Sequence, residues 1–270
     1  MMRIVVYLFF VTGTIVSCST NALTGKSQFT LLPESQLQSM ASQEYVQFLS
    51  SNKVLSTSTN KDAEMVKRVG QRISSAVENY YREKGITGKL EGFKWEYNLV
   101  NDPAANAWCM PGGKIVVYTG LLPITQNEAA LAVVMGHEVS HALLQHGNQR
   151  MSQQMGAETV QAGLQVALAN KSRETQNLFL SAFGLGAQVG LILPFSRKHE
   201  LEADHWGLNL AAMAGYNPRE AIPLWERMEK AGNGQKPPEF LSTHPSEGKR
   251  IQQLEGYMAE ALKYYKPIAR

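Results

Sequence analysis

Apolar residues along the chain follow three different patterns. From Pro33-Glu34 to about Ser50, Leu37, Met40, Tyr45 and Phe48-Leu49 recur at the spacing of one helix face. From Asp62 to about Lys84, Met65, Val66, Val69, Ile73, Val77 and Tyr80-Tyr81 do the same, and Gly85 marks the stop. Strict alternation follows: Phe93, Trp95 and Tyr97 interleave with Lys94, Glu96 and Asn98, as in a strand with one buried face. Residues 106–110 and 114–118 flank Pro111-Gly112-Gly113, which predicts an antiparallel hairpin. The third pattern is an unbroken apolar run over 129–135, behind the helix start Gln126-Asn127-Glu128. It predicts a helix buried on most sides that ends with Gly147 as its cap. Residues 148–170 read as a further helix. Residues 178–193 are apolar and uncharged, are interrupted by Gly184, Gly186 and Gly190, and are short for a membrane span. They predict a cover or lid over a cleft, with membrane contact as the alternative. Residues 19–30 are polar and read as a tether, and residues 51–60 as a loop.

The buried run leads directly into His137-Glu138-Val139-Ser140-His141. Residues four apart return to one helix face, so both imidazoles can point at one ion while Glu138 stands beside it. This is the H-E-x-x-H arrangement, in which two neutral imidazoles hold zinc and the glutamate takes a proton from the water that zinc activates. A purely structural helix would have little use for two imidazoles and a carboxylate that each need a buried partner. Catalytic zinc takes three protein ligands. One known solution needs Gly at 144 and His at 147, but the chain has Leu144 and Gly147, which excludes the metzincin class. His146 is one residue out of that register and reads as a cap on helix-end carbonyls, with a ligand role as the alternative. The better source is SRKHELEADHWG at 196–207, where Glu200 and Asp204 share a helix face. One can bind the ion while the other orients a zinc-bound imidazole. Spacing alone leaves Glu202 open as an alternative ligand, and His199 and His205 read as structural or exposed.

At 270 residues with 44% hydrophobic content, the chain has enough material for one catalytic domain and a short N-terminal extension. Twenty-six basic and 23 acidic residues give a net charge of +3 with no run of like charge, so nucleic acid is not expected as a partner. Arg3 precedes an apolar stretch from Ile4, and Ile15-Val16-Ser17-Cys18 resembles the lipobox of bacterial lipoprotein signal peptides. Cleavage before Cys18 and lipidation of its thiol would tether the protein to a membrane. Cys109 is then left without an intrachain partner and reads as a small buried residue. The expected division is a lipoprotein signal peptide over 1–17, a tether and N-terminal helix over 18–60, and a zinc metallopeptidase domain over 61–270.

HEVSH at 137–141 and SRKHELEADHWG are accompanied by TGKSQ at 24–28, NAWCMPGGKIVVYTGLL at 106–122, AGYNP at 214–218 and THPSEGKRI at 243–251. Together they resemble the gluzincin metallopeptidases that include the CAAX prenyl endopeptidases and HtpX. The likeness is strongest to the periplasmic lipoprotein-type members, BepA and LoiP, and to the mitochondrial inner-membrane quality-control peptidase, and it covers most of the chain after residue 17. It implies one zinc ion per chain on His137, His141 and Glu200, with Glu138 as general base and Asp204 orienting a zinc-bound imidazole. It also marks His244 as a residue that can occupy the open place on the metal and hold the enzyme latent. Arg250, six residues on, would pair with a carboxylate or with a substrate carbonyl as charge develops. Trp108-Cys109 departs from the Phe and small apolar residue usual in such proteins, which bears on the shape of the substrate pocket.

The expected fold is α+β and mostly helical, a zincin-like catalytic domain with a small antiparallel sheet beside the H-E-x-x-H helix. A polypeptide in extended form would add to the sheet edge near Asn106, Gly112 and Gly113. The expected function is zinc-dependent cleavage of misfolded or unassembled envelope proteins in bacterial protein quality control. The protein would be lipid-anchored at Cys18 on the periplasmic face of the outer membrane, with envelope assembly proteins as possible partners. The alternative is a chaperone-like binder of envelope proteins whose proteolysis is latent.

Overall fold

The computed structural model describes residues 18–177, 180–181, 193–232, 238–244 and 250–268. The expected signal segment 1–17 and nearly all of the expected cover 178–193 lie outside them. In chain order the principal elements are β1 (Cys18–Thr20), β2 (Ser27–Phe29), α1 (Glu34–Ser51), α2 (Lys61–Glu83), β3 (Glu96–Val100), β4 (Ala107–Met110) and β5 (Lys114–Tyr118). They continue with α3 (Glu128–Leu143), α4 (His146–Leu168), α5 (Leu193–Met213), α6 (Ala221–Gly232), α7 (Glu239–Thr243) and α8 (Arg250–Tyr264). The fold is α+β and mostly helical, as the sequence predicts.

Helix α3 runs through the centre. Asn127 caps it by accepting from the Ala130 amide, and Glu128 lies in its first turn, where the helix dipole favours an acid. Every residue from Ala130 to Ser140 is buried. Its end differs from expectation: Gln145 takes the left-handed conformation at φ 55°, the chain turns there, and Gly147 falls inside α4. The main core gathers Val69, Ile73 and Val77 of α2, Leu131, Met135 and Val139 of α3, Ile115 and Val117 of β5, and Leu208 of α5. Val116 faces the other way and joins Tyr45 and Val100 beneath α1, so β5 is buried on both faces. The three-stranded sheet has the order β3-β5-β4. The β4–β5 hairpin is antiparallel as expected, and β3 adds in parallel on the other side of β5.

The 19–30 segment, expected as a tether, is folded. Strands β1 and β2 pair antiparallel, and the connection between them sits on the end of α3. Asn21 Nδ2 donates to the Leu143 carbonyl at 3.1 Å and Gln28 Nε2 to the Leu144 carbonyl at 2.7 Å. These are carbonyls that the helix cannot satisfy internally, so two amide side chains supply the missing donors. Lys26 Nζ reaches Glu202 Oε1 of α5 at 2.6 Å.

Helices α3 and α5 cross at two glycines. A Cβ on Gly136 would lie 2.6 Å from the Gly207 carbonyl oxygen, and one on Gly207 would lie 2.6 Å from the His137 nitrogen and 2.7 Å from its Cα. The backbones therefore touch, and the residues one and two turns before Gly207 are carried onto His137. Alanine at 207 would gain about 1 kcal/mol of helix propensity but meet backbone atoms that cannot move aside. Gly207→Ala is expected to lose about 3 kcal/mol net in denaturant unfolding, consistent with overpacking, together with metal affinity.

Tyr45 supplies a pH-dependent contribution. Its hydroxyl accepts from Asn98 Nδ2 at 2.6 Å, and burial pushes its pKa up from 10.0 to about 12. Because the folded value is raised, the stabilisation is complete below pH 10.0 and is lost as pH climbs through about 12. Urea unfolding of wild type and Tyr45→Phe should show wild type losing its advantage across that interval, with no change in the difference between pH 7 and 9.

Candidate metal centre

His137 and His141 stand one turn apart on α3, and their Nε2 atoms are 3.0 Å apart. From α5, Glu200 presents Oε2 at 3.4 Å from His137 Nε2 and Oε1 at 3.4 Å from His141 Nε2. His244, at the end of α7, brings Nδ1 to 3.3 Å from His137 Nε2 and 3.2 Å from Glu200 Oε2. One ligand atom from each of these four residues lies within 4.8 Å of the others, a group that could hold a metal ion. The sequence named all four residues, and two long connections bring them together.

Charge and burial suit that task. Burial, reinforced by His137 nearby, holds His141 well below the usual imidazole range, so it stays neutral with a lone pair to offer. For His137 burial acts downward, but its bonds to Asp204 and Glu200 outweigh it and leave the ring raised. Burial pushes Glu200 up, yet bonds from His137 and His244 and the charge of His137 hold it far below the ordinary carboxylate value. A buried anion beside two imidazoles is the donor set a divalent cation neutralises.

Glu138 is buried, and its Oε1 has no hydrogen-bond partner among the described residues. His244 Nε2 stands 3.4 Å from that oxygen. Burial pushes the Glu138 carboxyl up to about 7, with His244 partly offsetting it. Such a group can take and return a proton near neutrality.

Asp204 Oδ1 lies 2.9 Å from His137 Nδ1 and accepts from Arg250 Nη2 at 2.6 Å. Since Asp204 accepts, His137 carries its proton on Nδ1 and turns Nε2 toward Glu200. The Arg250 guanidinium is only 1% exposed, lies 3.7 Å from the centre of the Trp225 ring, and donates through Nη1 to the His244 carbonyl at 3.2 Å. It pairs with a carboxylate, one of the two roles expected for it.

Other candidates fall elsewhere. Two residues along a helix from Glu200, Glu202 points away from the His pair, bonds to Lys26 at 2.6 Å and stands 3.5 Å from His146 Nε2. Its pKa is held down to about 2, chiefly by His146 and Lys26. His146 does not cap α3; it is buried at the start of α4, with Nδ1 2.9 Å from His141 Nδ1 and its ring stacked 4.0 Å from His199. The left-handed turn at Gln145 ends α3 and starts α4 at His146. His205 Nε2 contacts Glu260 Oε2 at 2.9 Å.

A cleft of about 470 Å³ opens over the site, lined by Asn106 to Cys109 and Pro111 on one side and by His141, His146 and Glu200 on the other. Asn106 donates to Glu239 Oε1 at 3.1 Å, and the Phe240 amide donates to the Ala105 carbonyl at 3.0 Å, so the segment carrying His244 is fastened to the head of β4. Gly112 and Gly113 adopt φ 83° and 84° in the β4–β5 turn, with Gly113 against the Trp95 ring, and neither lines the cleft.

Residues 67–258 match the profile of peptidase family M48, and the chain belongs to that family. Over 185 residues it is 41% identical to the mitochondrial metalloendopeptidase OMA1 of Arabidopsis thaliana, covering 67% of this chain and 36% of the relative. Against the human metalloendopeptidase OMA1 it is 30% identical over 263 residues, 95% of this chain and 49% of the relative. It is 32% identical over 162 residues to the beta-barrel assembly-enhancing protease of Escherichia coli, 58% of this chain and 33% of the relative. The chain thus spans between about a third and a half of the length of these relatives. Among the described residues no helix is long and apolar enough to cross a membrane.

Asp204→Asn removes the charge that fixes the His137 tautomer while keeping the shape. Chelator competition should show metal affinity reduced about 10- to 100-fold, the usual cost of losing such a partner.

Proposed function

We propose that this chain is a zinc-dependent metalloendopeptidase. The observation that carries the reading is the convergence of His137, His141 and Glu200 on one point, with a carboxylate oxygen of Glu138, which has no hydrogen bond among the described residues, buried beside it. Two imidazoles and a glutamate form a set that catalytic zinc uses, which favours zinc over harder ions that prefer oxygen alone. Held there, zinc would supply Lewis-acid chemistry, acidifying a water and polarising the scissile carbonyl. Glu138 takes the proton of the attacking water on Oε1 and returns it to the leaving amine. Asp204, steadied by Arg250, keeps His137 turned toward the metal. The substrate is a polypeptide in extended form lying along β4, the sheet edge that borders the cleft.

The finer reading is cleavage of misfolded or unassembled envelope proteins in bacterial protein quality control. We place the protein on the periplasmic face of the outer membrane, held by lipid on Cys18, with envelope assembly proteins as partners. Support comes from the lipobox-like residues before Cys18 and from the similarity to the beta-barrel assembly-enhancing protease of Escherichia coli. A second reading, a chaperone-like binder with latent proteolysis, is favoured by one specific observation. His244 stands 3.3 Å from His137 Nε2, 3.2 Å from Glu200 and 3.4 Å from Glu138, where it can take the fourth position on the metal.

Cleavage of an unfolded protein by wild type, Glu138→Gln and His244→Ala separates these readings. Glu138→Gln should bind one zinc per chain yet cleave about 10²- to 10⁴-fold more slowly; equal rates would sink the mechanism. Zinc chelation should abolish cleavage and zinc return should restore it. Faster cleavage by His244→Ala would support latency, and an unchanged rate would remove that second reading.

A further inference from the structure

The mechanism above provides His137 with a fixed partner but leaves the outer nitrogen of His141 unassigned. That nitrogen, Nδ1, lies 2.9 Å from Nδ1 of His146, while His141 Nε2 faces His137 and Glu200. Two imidazole nitrogens at that distance share one hydrogen, so one donates and the other accepts. If His141 Nε2 is to offer a lone pair to a metal, the single proton of its neutral ring is on Nδ1, and His146 Nδ1 must be the acceptor. His146 then carries its own proton on Nε2, which is buried, makes no hydrogen bond among the described residues, and faces the Glu202 carboxylate at 3.5 Å as an electrostatic contact. Glu202 is in turn held by Lys26 Nζ at 2.6 Å. His146 cannot swing away, because it is only 3% exposed and its ring stacks on His199 with an interplanar angle of 12°.

We propose that His146 is the positioning residue of His141: it accepts the Nδ1 proton, fixes the tautomer and ring plane that leave Nε2 facing the metal, and is itself oriented by Glu202. The assignment rests on the metallopeptidase reading. It gives the site two supports from opposite sides. Arg250 and Asp204 hold the first imidazole. Lys26, Glu202 and His146 hold the second, and the last of these lines begins on the N-terminal hairpin. Neither His146 nor Glu202 touches the reacting atoms.

The test compares zinc affinity, by chelator competition, in wild type, His146→Leu and His146→Gln. Leucine fills the space without an acceptor, whereas glutamine returns an oxygen that can accept from His141. We expect about 10- to 100-fold weaker binding for His146→Leu and recovery of most of that loss in His146→Gln. Equal affinity in all three, or equal loss in both variants, overturns the assignment. Should the leucine variant not fold, long-range proton–nitrogen correlation NMR on the zinc-loaded wild type decides the matter. The expected pattern is a protonated His141 Nδ1 and a His146 ring protonated only on Nε2; a proton on His146 Nδ1 overturns the assignment. A wild type that binds no zinc overturns the metallopeptidase reading itself and this assignment with it, a failure distinct from unequal variants.

Discussion

The structure depends on a backbone contact where α3 and α5 cross at Gly136 and Gly207. Helices that pack through side chains keep their axes some 8–10 Å apart. Two facing glycines remove that spacer and bring a carboxylate one turn away within reach of an imidazole on the neighbouring helix. Glu200 and Asp204 are short side chains for the work they do, and a wider crossing would leave each of them outside contact with His137. The metal-binding geometry is thus set by residues without functional groups. The surrounding apolar packing of α2, β5 and α3 keeps the crossing rigid.

Around that crossing the polar groups form a ring in which nearly every member has a fixed neighbour. Buried ionisable groups are costly unless paired, and here Asp204 meets Arg250, Glu202 meets Lys26, and Arg250 lies on Trp225. Among the described residues the Glu138 Oε1, His146 Nε2 and Arg250 Nε atoms are buried without a hydrogen bond, and of these only Glu138 is a carboxylate. Burying a carboxylate oxygen without a hydrogen bond costs free energy, and that cost favours its protonated form, which is why the Glu138 carboxyl is pushed up.

Much of this was legible in the sequence. The H-E-x-x-H spacing, the i,i+4 pair Glu200 and Asp204, and the apolar run of α3 identify the site because local periodicity is what they express. The hairpin of β4 and β5 was legible through its Pro-Gly-Gly turn. The parallel addition of β3 was not, since nothing local tells a strand which neighbour it will meet. Residues 19–30 misled for a physical reason: Asn21 and Gln28 are buried as hydrogen-bond donors to helix-end carbonyls, and a polar buried residue looks the same in sequence as a polar exposed one. His146 misled because its role turns on the left-handed residue Gln145, a conformation that a non-glycine residue does not advertise. Choosing Glu200 over Glu202 required the orientation of α5, which the glycine crossing supplies.

The N-terminal hairpin has a mechanical consequence. Strand β1 begins at Cys18 itself, and a few residues later the chain is bound to the end of the helix that carries His137 and His141. With a lipid on Cys18, as proposed, no slack would separate membrane from cleft. The catalytic body would ride flush on the bilayer like a boat on a short mooring rather than sweep a volume at the end of a line. Its working height above the surface would then be set by the hairpin and not by a flexible linker.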